Sequence, residues 1–214
     1  IYIPDHFFSE KVKNAEKLTT PVLIVGLIGI LSAIAAYLVT QVNVRALIQV
    51  LPPESQQMAG GIAMIFGVVG GFLGSYIWWL IASVVFFGLS AMVGSSGNFK
   101  RTLKFIGFGF LPQVFGGLIN IYFMYEFAST VQIPKITDPI LINDVIQSLM
   151  NIQNFVLATI VSILFLLWST NIWIFGLKHA RNLSMRDAAI CVLVPMVIYI
   201  LYTLNTTGIF GGIV

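Results

Sequence analysis

The sequence predicts an all-α fold: a polytopic integral membrane bundle of five transmembrane helices, with the N-terminus cytoplasmic and the C-terminus external. Three observations predict it. Of 214 residues, 58% are hydrophobic and only 9% charged, and mean hydropathy is +0.96; a soluble domain carries about 25% charged residues. Apolar runs approaching or exceeding the roughly 20 residues that cross a hydrocarbon core recur five times, at about 21–39, 70–93, 105–125, 152–175 and 188–204. Nine of the eleven Lys and Arg residues fall in alternate segments, before the first run, between the second and third, and between the fourth and fifth. Orientation follows Lys and Arg rather than net charge, and the acidic residues divide evenly between the two sides. Four or six spans would put basic turns on opposite sides, so the charge pattern also supports five. No stretch remains for a soluble core, and 1–214 is read as a single membrane domain.

The elements follow in order. Residues 1–20 set Phe7, Phe8 and Val12 among Glu10, Lys11, Lys13, Glu16 and Lys17, which reads as a cytoplasmic amphipathic helix lying on the membrane, aromatic side down. The first span opens at Thr19-Thr20-Pro21, a cap-then-proline start, and is long enough to be a retained helix rather than a signal peptide. Residues 40–58 are polar, carry Pro52-Pro53 and read as a loop with a short interfacial helix. From 60 to 93 no residue is charged. One straight helix over that length would rise about 50 Å, so the glycines at 60, 61, 67, 70, 71 and 74 suggest a break or interfacial start before a span at 70–93. Gly67/Gly71 and Gly70/Gly74 have the spacing that lets helix backbones approach. They are read as packing within the chain, with a homo-oligomer as the alternative.

Pro112 sits inside the third span, where a missing N–H should kink the helix. Residues 126–150 are polar, with an amphipathic turn over 144–150. The fourth span carries Trp168 and Trp173, and a basic turn at 178–186 leads into the fifth.

Candidate chemistry is sparse. No Asp, Glu, Lys, Arg or His lies between the ends of any span, although intramembrane ionisable groups are the usual mark of an ion path. His6 and His179 have no clustered ligands, Cys191 is the single cysteine and lies in an apolar run, and no nucleophile–base or nucleotide-loop pattern occurs. Neither an enzyme nor a cofactor or metal is expected. A net charge of +3 is too small and scattered for nucleic acid. The two basic turns, with Lys100, Arg101, Lys104, Lys178, Arg181 and Arg186, could hold anionic head groups or an unknown partner protein, each basic side chain near a membrane surface contributing about 1 kcal/mol. A polar seam of Gln113, Asn120, Ser162, Ser169, Thr170 and Asn171 carries the alternative, a small transporter or channel whose path passes the Pro112 kink through Gln113, Asn120 and Asn171.

Several segments, in this order, resemble the Yip family, five-span membrane proteins named for interacting with Ypt/Rab GTPases. They are Pro4-Asp5-His6-Phe7-Phe8 followed by Pro21; Gly97-Asn98-Phe99-Lys100-Arg101-Thr102-Leu103 followed by Gly107 and Leu111-Pro112; and Trp168, Gly176-Leu177, Leu183-Ser184 and Arg186-Asp187-Ala188. The resemblance implies five spans with a cytoplasmic N-terminus, in agreement with the charge count. Eukaryotic members carry a long cytoplasmic region ahead of this core, so the chain is similar to a prokaryotic-type member, for which the resemblance supplies no biochemical role. Expected from all this is a non-enzymatic membrane-organising or adaptor protein of the cell membrane, or of the ER/Golgi membrane in a eukaryote.

The topology is testable by labelling single cysteines in a Cys191→Ser background. The N-terminal segment and the 94–104 and 178–186 turns should react from one side, and the 126–150 loop and C-terminal tail from the other. Finding 94–104 and 126–150 on the same side would sink the five-span arrangement.

Overall fold

A computed structural model describes residues 4–11, 17–136, 138–150 and 153–206. Among them there are helices and no strands: α1 (Pro4–Lys11), α2 (Thr19–Leu47), α3 (Pro53–Met92), α4 (Phe99–Phe108), α5 (Leu111–Thr130), α6 (Ile142–Met150), α7 (Gln153–Arg181) and α8 (Met185–Thr206). Single 3₁₀ turns occur at Ile48–Val50 and Pro139–Leu141. Helices α2, α3, α7 and α8 are each long and apolar enough to cross a membrane, and the bent pair α4–α5, taken together, makes a fifth span. Large apolar side chains such as Leu23, Phe66 and Ile77 are more than half exposed along these helices. In water they would form an anomalous patch; in a bilayer they meet lipid. The molecule is an all-α multi-pass bundle.

The most extensive pairing joins α2 to α3, antiparallel along nearly their whole length. Small residues make it. A Cβ on Gly71 would lie 2.8 Å from the Ser32 carbonyl oxygen, one on Gly29 would lie 2.9 Å from Ser75 Oγ, and one on Gly67 would run into the Thr40 hydroxyl. Ser75 Oγ donates to the carbonyls of Phe72 (2.8 Å) and Val25 (3.3 Å), and Tyr76 donates to that of Val22 (3.4 Å). These contacts correct two expectations. The chain does not break between 60 and 74: α3 is one helix of 40 residues, about 60 Å long, that begins well before residue 70. Gly67 and Gly71 bring α3 against α2 instead of interrupting it, while Gly61, Gly70 and Gly74 face open space. The expected 40–58 loop shrinks to 48–52, because Thr40 belongs to this seam and Arg45 Nη2 donates to the Ala128 carbonyl at 2.8 Å.

The third span is two helices. α4 ends at Phe108, α5 begins at Leu111, and their axes differ by 44°, well past the roughly 20° that marks a sharp kink. The bend expected at Pro112 is present, and its form is a break. Pro112 stands in the first turn of α5, where a backbone N–H would have no helical partner and its loss costs little. Around the break, two indoles cap the backbone. Trp79 Nε1 donates to the Leu103 carbonyl at 2.9 Å, and Trp173 Nε1 to the Ile106 carbonyl at 2.8 Å. Gly107 and Gly109 leave room for the two rings, since a Cβ at either would overlap one of them. Trp173 is fully buried against Phe86 and Phe110.

Helix α1 also departs from expectation. It does not lie aromatic side down on lipid: Phe8 is fully buried in a cluster with Phe105, Phe108, Ile172 and Ala180, and Phe7 packs edge-on against Phe108 at 5.3 Å. The α4–α7 groove, kept open by Gly176, takes the ring that amphipathicity had assigned to the bilayer. Residues 12–16 lie outside the described residues.

Replacing Trp173 with Phe keeps most of the ring but leaves the Ile106 carbonyl without its indole donor. The carbonyl keeps its bond from Gly109 N at 3.0 Å, so we expect the loss of one hydrogen bond, about 0.5–1.5 kcal/mol, measured by thermal denaturation in detergent. Trp168→Phe, at a side chain 54% exposed, serves as the control and should be near neutral.

Candidate functional site at the basic end of the bundle

The three basic segments come together at one end of the bundle, as the side assignment requires. Turn 94–98 follows α3, turn 182–184 follows α7, and the two interlock. Ser96 N donates to the Arg181 carbonyl at 3.1 Å, and Asn182 Nδ2 to Ser96 Oγ at 2.9 Å. Gly97 (φ 105°) and Asn182 (φ 52°) adopt left-handed backbone, and Gly97 passes so close to the Ala180 carbonyl that no side chain fits. The helices that leave these turns are capped. Asn98 Oδ1 accepts from Arg101 N at 2.8 Å to start α4. At α8, Asp187 N donates to Ser184 Oγ at 3.1 Å, and that hydroxyl donates to the Asp187 carboxylate at 2.7 Å, a reciprocal arrangement of the capping-box kind.

Arg181 holds the two turns together. Its side chain is 4% exposed. Nε donates to Ser90 Oγ at 3.0 Å, Nη2 to Ser95 Oγ at 2.7 Å, and Nη1 to the Gly97 carbonyl. The guanidinium also stacks 4.1 Å from the Phe87 ring centroid. A fixed fork of donors suits this many partners better than a lysine ammonium would.

The six basic residues named from the sequence therefore divide. Arg181 and Lys104 (4% exposed) are buried, with the Lys104 ammonium 5.7 Å from the Phe105 ring centroid. Lys178 is taken up by Asp5, at 2.7 Å. Lys100 and Arg186 are exposed and Arg101 is half-buried; these three remain on the surface of the basic end. The latch of Ser90, Ser95, Gly97 and Arg181 was not foreseen, because a basic residue in a turn reads first as an orientation signal. Its one legible sign is the Gly94–Gly97 pair.

Asp5 fastens α1 to α7. Its Oδ1 lies 2.7 Å from both Lys178 Nζ and His179 Nε2. The hydrogen bond from Lys178, then that from His179, holds the carboxyl below the ordinary aspartate value of 3.8.

The alternative polar path is only partly assembled. Gln113, Asn120 and Ser162 line one cavity of about 160 Å³ between α2, α5 and α7, and Asn120 Nδ2 donates to Ser162 Oγ at 3.1 Å. Asn171 does not join them: it is exposed on the outer face of α7. Thr170 bonds its own helix at the Leu166 carbonyl, 2.8 Å away. Cys191 is buried in the main core.

Because the Asp5 carboxyl is lowered in the folded chain, its contribution to α1 docking is complete above the ordinary aspartate range. That contribution fades as pH falls through the lowered value. Spin labels at Ser9 and Arg186 should report a narrow distance distribution at neutral pH that broadens in strong acid. Asp5→Asn should abolish this response, and a distribution in the native chain that ignores acid would overturn the assignment.

Comparison with known proteins agrees with this architecture. An uncharacterized protein of Methanocaldococcus jannaschii is 36% identical over 126 residues, which cover 58% of this chain and 86% of that protein. No solved structure matches the chain. The family model of the Yip1 domain matches residues 1–205, which takes in α1, the interlocked turns, the broken α4–α5 span and α8; the chain belongs to the Yip1 domain family.

Proposed function

We propose that the protein is a non-enzymatic membrane-organising or adaptor protein whose basic end, facing the cytoplasm at the cell membrane, contacts anionic lipid head groups or a partner protein. The observation that carries this reading is the division of the basic side chains. Arg181 and Asp5 fix the turns and α1 into one frame, and that frame displays Lys100, Arg101 and Arg186 at the end of the bundle. Charges held on a rigid frame lose little conformational freedom on contact. Side chains near an anionic surface each contribute about 1 kcal/mol. Membership of the Yip1 domain family supports the membrane placement, and the nine-to-two split of basic residues supports the side.

The test uses protein of checked topology in zwitterionic nanodiscs, with capture of vesicles containing phosphatidylserine as the readout. Neutralising Lys100, Arg101 and Arg186 to Gln should weaken capture by about fivefold for each charge removed. Raising salt should mimic the change, because exposed charges are screened within about 10 Å at 0.1 M. Capture that survives the triple variant and high salt would refute the lipid arm. A partner that binds native chain and triple variant equally would refute the basic end as its contact.

A further inference from the structure

Three partly open cavities adjoin one another among the helices of the bundle. The first, of about 160 Å³, lies between α2, α5 and α7 and is lined by Gln113, Asn120 and Ser162. A second, of about 170 Å³, lies on the α8 side of Gln113 and Ser162 and reaches Tyr199 and Thr203. A third, of about 430 Å³, is lined by Ala36, Asn120, Thr159, Ser162 and Thr203. Ser162 is common to all three, and Gln113 stands between the first two. Beside these cavities the helices pack closely: a Cβ on Gly116 would press on the Phe165 ring at 2.9 Å, and one on Gly117 on Leu31 at 3.1 Å. In addition, α8 packs on α7 and α3 and has no comparable pairing with α2 or α5, so the side between them stays unfilled. The smallest cavity alone exceeds the roughly 10–15 Å³ that one water needs in this measure by about tenfold.

The lining dictates what could fit. Among the described residues no Asp, Glu, Lys, Arg or His borders any of the three cavities, so an ion entering them would shed its hydration without a counter-charge. Two of the lining hydroxyls have spent their hydrogens on their own helix. Ser162 Oγ donates to the Ala158 carbonyl at 2.8 Å, and Thr159 Oγ1 to the Phe155 carbonyl at 3.0 Å. Thr159 Oγ1 therefore meets an occupant as an acceptor, and so does the remaining lone pair of Ser162 Oγ, whose other accepts from Asn120 Nδ2. Gln113 presents the complementary need, since its Nε2 is buried and has no hydrogen-bond partner. A buried amide donor left in that state is destabilising. An occupant must then donate to hydroxyl oxygens and accept from an amide, within a short distance and without net charge. A carbonyl only accepts and an ammonium only donates. Vicinal hydroxyls do both.

We propose that these cavities form one binding site for a small uncharged polyol group, belonging either to a free polyol or to the glycerol moiety of a glyceride lipid. The site lies inside the bundle, away from the basic end, and stands independently of the adaptor reading. Gln113 is the residue that recognises the occupant, and Ser162 and Thr159 accept its hydroxyl hydrogens.

Single reporters at Thr203→Cys and Ile163→Cys, each in a Cys191→Ser background, read the site from α8 and from α7. The protein is held in phosphatidylcholine nanodiscs, and its thermal stability is checked for each variant. N-ethylmaleimide should label both reporters, and cationic and anionic methanethiosulfonates of similar size should label neither. Glycerol or monoolein should slow labelling several-fold, and Gln113→Leu should abolish that protection while leaving the fold intact. Protection by glycerol identifies a free solute; protection by monoolein alone identifies a lipid. Equal labelling by charged reagents, no protection by either probe, or full protection in Gln113→Leu would each overturn the site; two reporters on different helices keep the outcome readable if one fails to fold.

Discussion

Hydrocarbon offers no water to a stray N–H or carbonyl, and each one left bare there costs several kcal/mol. Most of this structure answers that one constraint. The helical course of a span is broken between Phe108 and Leu111, and there the side chains of two tryptophans reach across from α3 and α7 to serve the carbonyls of α4; Pro195, inside α8, forgoes one further helical bond. Pro112 falls where it removes a donor that the helix start had no use for. At the basic end, where the turns must reverse the chain, Asn98 and Ser184 take up the first N–H groups of the next helices, and Arg181 satisfies the Gly97 carbonyl.

Once backbone groups are satisfied, helices in lipid have no hydrophobic force drawing them together, and close contact must come from shape. The α2–α3 seam supplies it through Gly29, Gly67 and Gly71 against Ser75, Thr40 and Ser32. The α5–α7 contact uses the same device at Gly116, yet stops short of filling the space beside Gln113. Tight on one side and unfilled on the other, the bundle combines a rigid pair with a hollow interior.

Much of this was legible in the sequence, for reasons that differ by element. Apolar length and the alternation of basic residues report directly on partition into lipid, so the helical class and the five candidate spans could be read. Pro112 announced the bend because it cannot donate to the helix before it, although Pro195 lies within the continuous α8. Glycine is ambiguous: Gly67 and Gly71 read equally well as a break and as a contact, and the choice depends on Thr40 and Ser32, some thirty residues away. Amphipathicity shares the defect. Phe8 needed an apolar surface, and the α4–α7 groove satisfies it as well as a bilayer does. Of the site residues, Lys100, Arg101 and Arg186 lie at the surface, whereas Arg181 and Lys104 are buried. A turn sequence shows that charge is present and says nothing about which way a side chain folds back. Asn171 failed as a partner of Gln113 for a related reason, since helical phase sets it on the opposite face from Ser162.

The cap on the Ile106 carbonyl is donated from 67 residues further along the chain. At about 5–20 residues per second, translation leaves α4 and α5 without that indole for roughly 3–13 seconds after Ile106 is made. The Gly97 carbonyl waits longer, since Arg181 lies 84 residues downstream. During biogenesis the broken span is therefore an incomplete object, which the insertion machinery or water at the membrane surface must shelter until α7 emerges. Quality control could recognise a nascent chain truncated before α7 by that exposed bend.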